Sequence, residues 1–240
     1  MSNFRILPAG DRAFVVEFGD VISRAVNAKA LELDARLATA APPGIIETVP
    51  TFRSLLICFD PSICSPEKLF AAVARLAEAQ NETSVETRRW RVPVCYQPPY
   101  AIDLEDIARY ADVSTNDVAS IHAALPQHIS MLGFLPGQPY LGDLNDILAL
   151  PRRRSPRPKV AAGSVGIAGR MTCVFPRETP CGLNVIGRCP LALSQSQGRP
   201  RFLLSPGDQV IFEPISVREF DLLSQSPAGD ASAFERYQIS

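Results

Sequence analysis

Glycine placement sets the first constraint on this chain. None of the fourteen glycines lies between Gly44 and Gly133, and eight fall between 133 and 187. Glycine-free stretches suit helices and plain strands; a dense cluster suits strands broken by tight turns that need unusual backbone angles. The chain therefore changes character near residue 130. Its 240 residues suffice for one large domain or two small ones.

The first part alternates strand-like and helix-like segments. AFVVEF (13–18) is β-branched and aromatic, and Gly19-Asp20 closes it with a turn. From Ser23 to Ala40, Val26, Ala30, Leu33 and Leu37 recur at helical spacing, and Pro42-Pro43-Gly44 stops the run. Residues 45–49 and 54–59 read as a strand pair. Pro66 then opens a second helix at the position where its missing N–H costs nothing, with Leu69, Val73 and Leu76 as the apolar stripe. Residues 1–86 are thus expected to form a small α+β domain, two helices on an antiparallel sheet. Polar 80–87 is the expected boundary.

Residues 87–226 read as a mainly-β domain, a β-barrel or a folded sheet. RRWRVPVCY (88–96) is a strand, and 103–125 holds short helices opened by Asp103 and by Ser114. Short apolar pieces at 129–135, 160–168, 171–175, 183–187, 202–204 and 209–213, separated by Gly and Pro, complete the pattern. The stretch 227–240 is small and polar and is expected to be a mobile tail.

The totals exclude some functions. A formal net charge of −1 gives no global reason for a nucleic-acid or membrane partner, and no apolar run approaches the roughly 18 residues that span a bilayer. The N-terminal residues lack the unbroken apolar stretch of a secretory leader, so a cytoplasmic address is expected. Six cysteines carry no C-x-x-C pair, and only His122 and His128 could join them on a metal, so no metal site is expected.

GSVGIAGR (163–170) poses the question of a phosphate loop. It lacks the Gly-Lys-Ser/Thr ending of a P-loop and the G-x-G-x-x-G spacing of a dinucleotide fold. The strand-like MTCVF that follows supplies no helix N-terminus for an anion. Around it, Ile147 to Arg177 contains no acid and seven bases: Arg152, Arg153, Arg154, Arg157, Lys159, Arg170 and Arg177. This basic arm is readable as a solvated loop, as a nucleic-acid arm, or as an anion-recognition element whose arginine forks match carboxylate and phosphate. His122 and His128 are the sole imidazoles for proton transfer. Asp11 and Asp208 sit in turns, where aspartate bonds locally. No self-sufficient active site is legible.

MLGFLPGQPYLGDL, LPRRRSPRPKVAAGSVGIAG and VIGRCPLAL, together with ILPAGDRAFVVEFGD, TFRSLLICFDP and RVPVCY, resemble the conserved blocks of the allophanate hydrolase subunit 1 family. That family includes the B subunit of bacterial 5-oxoprolinase and a sporulation-kinase inhibitor. The resemblance implies an α+β N-terminal domain followed by a cyclophilin-like β-barrel. It also implies a non-autonomous member of a heteromeric complex, whose partners are a cyclophilin-like C subunit and an A subunit. That complex hydrolyses 5-oxo-L-proline to L-glutamate with ATP, and no cofactor is bound by this chain alone. Inhibition of a sensor histidine kinase and a carboxyltransferase role in a urea carboxylase system are the alternatives. The matching positions implied to line a groove for substrate and partner are Gly133, Phe134, Pro136, Gly137, Pro139, Tyr140, Arg152, Arg157, Gly163, Ser164, Gly166 and Arg188. Arg157 and Arg188 are expected to hold anionic groups, and His122 is the candidate catalytic residue. Gln138 and Cys181-Gly182-Leu183 depart from the family pattern, at an aromatic and at Gly-Gly-Trp.

Overall fold

The computed structural model describes residues 4–79, 87–195, 201–225 and 236–239, and divides into two units, Met1–Glu86 and Thr87–Ser240. Of the expected boundary segment 80–87, residues 80–86 lie outside the described residues.

In the first unit, β1 (Arg5–Pro8), β2 (Ala13–Glu17), β3 (Ile45–Pro50) and β4 (Ser54–Phe59) form an antiparallel sheet of order β1-β2-β4-β3. Alternation along β2 and β4 sends Phe14, Val16, Leu55, Ile57 and Phe59 to one face. Helix α1 (Arg24–Ala40) covers that face with Ala30, Leu33 and Leu37, and α2 (Pro66–Glu78) adds Leu69 and Val73. The Ser23 hydroxyl accepts from the Val26 N–H to start α1. Its end is closed by Ala41, whose left-handed backbone lets its N–H reach the Leu37 carbonyl before Pro42-Pro43-Gly44 turns the chain. β1 is an extra strand that the apolar pattern alone does not announce.

The second unit is built on a closed barrel. Its seven strands are β5 (Arg89–Cys95), β6 (Gln127–Leu132), β7 (Pro139–Leu141), β9 (Ser164–Ala168), β10 (Met171–Val174), β12 (Asn184–Arg188) and β15 (Gln209–Ile215). They run round in the order β12-β9-β10-β7-β6-β15-β5, and the Arg188↔Cys95 pair joins β12 back to β5. β15 and β5 are parallel over their whole length, the other barrel pairs antiparallel. Inward residues Trp90, Val92, Val94, Ile129, Leu141, Val165, Ile167, Val174, Ile186 and Phe212 fill the interior. Helices α3 (Leu104–Ala111) and α4 (Thr115–Ala123) pack Ile107 and Val118 onto the same core.

Outward residues of the same wall form a second, smaller core. Ala168, Cys173 and Val185 meet Val160 and Cys181 of a short ribbon, β8 (Arg157–Val160) with β11 (Thr179–Cys181). A single expected strand at 160–168 is therefore two, β8 and β9, separated by the turn at 161–163. A further pairing joins β13 (Ser194–Gln195) to β14 (Arg201–Phe202), and α5 (Val217–Ser224) follows β15 behind a Ser216–Glu219 capping box. The stretch expected as a mobile tail is ordered at its described end. There β16 (Gln238–Ile239) pairs antiparallel with Trp90 and Arg89 of β5, while 226–235 lie outside the described residues.

Candidate functional site

Helix α4 carries His122 into the barrel core, where the side chain is fully enclosed. Its Nδ1 lies 2.7 Å from the Tyr96 hydroxyl and its Nε2 3.0 Å from the Thr172 hydroxyl, with Phe212 against the ring. Burial pushes its pKa down from 6.5 to about 3, because an imidazolium there would lose water with no acid to replace it. Both nitrogens are engaged and the ring stays neutral. The candidate catalytic residue is therefore a satisfied core group.

Asp103 stands where the sequence put it, at the start of α3, but its partners were not legible there. Expected as a helix-opening acid, it makes no side-chain cap to α3. Its buried carboxylate instead accepts from Arg153 Nη1 at 2.8 Å, from both terminal nitrogens of Arg157, and from the Val185 N–H at 2.7 Å. This corrects the role expected of Arg157: its fork is bound bidentately by a carboxylate of its own chain. The same contacts pin the basic arm. Arg153 N–H donates to the Gly182 carbonyl, and Asn184 Nδ2 to that of Pro151. Lys159 meets Glu178 and Arg170 meets Asp146 at the surface, leaving Arg152, Arg154 and Arg177 exposed and without an ion pair among the described residues.

The remaining expected residues fall into two groups. Gly133, Phe134, Pro136 and Gly137 form a tight loop leading into Pro139 and Tyr140 of β7. The loop is closed by Gly133 N–H to the Gln138 carbonyl and by Gln138 N–H to that of Leu135. Phe134 projects from it with 70% of its surface exposed and a left-handed backbone at φ 67°. Gln138 is wholly buried, its amide donating to the Tyr140 hydroxyl and the Cys173 sulfur. Burial raises the Tyr140 pKa, and the nearby Arg152 charge partly opposes that.

Gly163, Ser164 and Arg188 form the second group, at one end of the barrel. Ser164 pairs with Arg188 across β9 and β12. Gly163 has φ +81°, and a Cβ there would stand 2.1 Å from the Cys189 carbonyl oxygen, so backbone approach dictates this glycine. Gly166 lies inside the wall, opposite Cys173 and Val185, away from either group. GSVGIAGR is therefore a turn and a buried strand, β9.

Arg188 differs from the other half-buried arginines of this unit. Arg88 is held by Asp208, and Arg153 and Arg157 by Asp103, whereas Arg188 has no acid partner among the described residues. Its Nε donates to the Ala162 carbonyl at 2.8 Å, and its guanidinium lies over the rings of Tyr100 and Phe220. Those rings stack 3.9 Å apart, and the Tyr100 hydroxyl donates to Asp221. Beside this loop, Pro98, Pro99, Ala101 and Ile102 line a cavity of about 480 Å³ that Glu105 and Thr115 border. Among the described residues no three His, Cys, Asp or Glu side chains gather as metal ligands. The buried thiols of Cys173, Cys181 and Cys189 are all pushed up by desolvation, Cys189 to about 12, which keeps them protonated and poor nucleophiles.

One family model takes in the first unit, the pinned arm, both loop groups and every barrel strand but β15. "Carboxyltransferase domain, subdomain C and D" matches residues 4–204. The chain belongs to that family. Two curated relatives of this carboxyltransferase C/D chain are similar over most of its length. The 5-oxoprolinase B subunit of Bacillus subtilis (strain 168) is 38% identical over 231 residues, covering 90% of this chain and 95% of the relative. The protein of the same description from Escherichia coli O157:H7 is 34% identical, with 89% and 97% covered. Among solved structures, K. lactis urea amidolyase superposes with a TM-score of 0.78 at 22% identity, a likeness of fold. The superposed region takes in 98% of the carboxyltransferase C/D chain but 16% of that much longer one.

Proposed function

We propose that this chain is the B subunit of an ATP-dependent 5-oxoprolinase, which hydrolyses 5-oxo-L-proline to L-glutamate in the cytoplasm. The observation that carries this reading is the near end-to-end similarity, at 38% and 34% identity, to two bacterial proteins so described. The chain acts with an A subunit and a cyclophilin-like C subunit, and is inactive alone. In keeping with that, the described residues offer no activated nucleophile: His122 is enclosed with both nitrogens occupied, and the buried thiols stay protonated. In lactam hydrolysis water adds to the ring carbonyl, the C–N bond breaks and the nitrogen takes a proton. Amide resonance opposes that attack. The Phe134 loop, Arg152 and the Arg188 end of the barrel face substrate and the C subunit in this reading.

The test is to purify the chain alone and with its A and C partners, and to follow glutamate release from 5-oxoproline with ATP. Turnover by the assembled complex alone is expected. Turnover by the isolated chain, or none by a well-folded complex, overturns the reading. The family's carboxyltransferase description favours a second reading, carboxyl transfer to a small amide, which requires a biotin carrier. Carboxylation of an amide on adding carboxylated biotin carrier would select it.

A further inference from the structure

We infer that Arg188 is the fork that grips the carboxylate of a small substrate, end-on, through its two terminal nitrogens. This deepens the 5-oxoprolinase reading and rests on it for the identity of that substrate. Three contacts immobilise the guanidinium. Nε is tied to the Ala162 carbonyl at 2.8 Å, which closes the side-on approach through Nε. The central carbon of the guanidinium lies 5.9 Å from the Tyr100 ring centroid and 5.7 Å from that of Phe220. The backbone beneath is fixed where β12 meets both β5 and β9, at the pairs with Cys95 and Ser164. The edge carrying Nη1 and Nη2 is left over, with no carboxylate of the described residues on it.

The surroundings select the ligand. Asp221, the acid of this cluster, accepts from the Tyr100 hydroxyl at 2.8 Å and forms no ion pair with Arg188. Two parallel N–H donors in a plane match a carboxylate. One guanidinium against neutral aromatic walls suits a monoanion. A preorganised arginine loses little side-chain entropy on binding, unlike the free arginines of the arm. 5-Oxoproline is a compact monoanion of this kind, with its carboxylate next to the lactam nitrogen.

The experiment uses the assembled complex and reads binding apart from turnover. The ATP-free complex is titrated with 5-oxoproline and with its carboxamide, which lacks the charge, for wild type, Arg188→Gln and Arg188→Lys. Wild type is expected to prefer the acid by about 10- to 100-fold, the range for hydrogen bonds to a charged group. Arg188→Gln binds acid and amide alike, and Arg188→Lys keeps an intermediate preference with an unchanged melting temperature. With ATP, Arg188→Gln raises KM for 5-oxoproline more than it lowers kcat. An acid preference undiminished in Arg188→Gln, or none in wild type, overturns the assignment. So does a failure of Arg188→Gln to co-purify with its partners, which would make Arg188 a docking residue. A wild type that prefers the acid but never turns it over overturns the 5-oxoprolinase reading and leaves the fork standing.

Discussion

The carboxylate of Asp103 lies 2.8 Å from Nη1 of Arg157, across 54 residues of sequence, and holds Arg153 as well. One buried acid thus ties the start of α3, the basic arm and β12 together, since the Val185 N–H also points to it. Asp103→Ala would leave two guanidinium groups and a backbone donor without their acceptor. A loss of about 3–5 kcal/mol is expected, the usual cost of breaking a buried ion pair from one side. Urea denaturation of the full chain measures it, and a loss below about 1 kcal/mol would contradict the role given to this acid.

Arg157→Ala is expected to destabilise the fold as well, because it removes the bidentate partner of the same carboxylate. Arg188→Gln removes no ion pair and leaves the denaturation midpoint nearly unchanged. The two substitutions therefore separate: one moves the midpoint, the other ligand preference. Equal midpoints for both variants would argue that Arg157 is free to bind ligands.

His122 gives the chain a pH signature. Its folded pKa of about 3 lies below the ordinary 6.5, so between those values the unfolded chain binds a proton that the folded chain refuses. The stability it contributes is full above pH 6.5 and falls as pH drops toward 3, by at most about 1.4 kcal/mol per pH unit. Denaturation midpoints from pH 8 to 4 should show this slope, and the His122 ring resonances should not titrate in that range while the chain is folded. An ordinary titration near 6.5 would mean the ring is open to solvent.

The two outer glycines of GSVGIAGR should respond unequally to alanine. At Gly163 the added Cβ collides with the Cys189 carbonyl at a backbone of φ +81°, which is expected to cost at least about 2 kcal/mol. At Gly169, φ is +54° and no atom lies within 4 Å of the added Cβ, so the left-handed penalty of about 1 kcal/mol stands alone. Thermal melts of the two variants check the order.

Phe134→Gly should leave the melting temperature equal or higher, since glycine accepts the left-handed backbone that strains phenylalanine and little buried area is lost. In the proposed complex the same change weakens association with the C subunit. A lowered melting temperature in the isolated chain would show instead that Phe134 packs within its own unit.

What was legible in the sequence was local. The apolar stripes of α1 and α2, Pro66 as a helix opener, the Ser114 cap and the glycine-punctuated strands are fixed by neighbours a few residues away. Asp103 shows why the rest was not. Acids at a helix start have an adequate local explanation, and nothing nearby announces partners at 153, 157 and 185. The Tyr100–Phe220 stack beneath Arg188 is equally non-local, joining the loop after β5 to α5. The seven bases of the arm were visible, but which of them meet acids depends on the fold, and four of them do.

The first strand of the barrel is also its seam. β5 takes β15 along one edge, and β12 and β16 at opposite ends of the other, so its partners arrive from residues 188, 209–215 and 238–239. A ribosome adding roughly 5–20 residues per second delivers the last of them several seconds or more after β5. Until then Trp90, Val92 and Val94 have no wall to face, while the sheet and helices of the first unit are already synthesised. A nascent chain stalled before residue 209 should therefore present a protected first unit and an open, protease-sensitive second one.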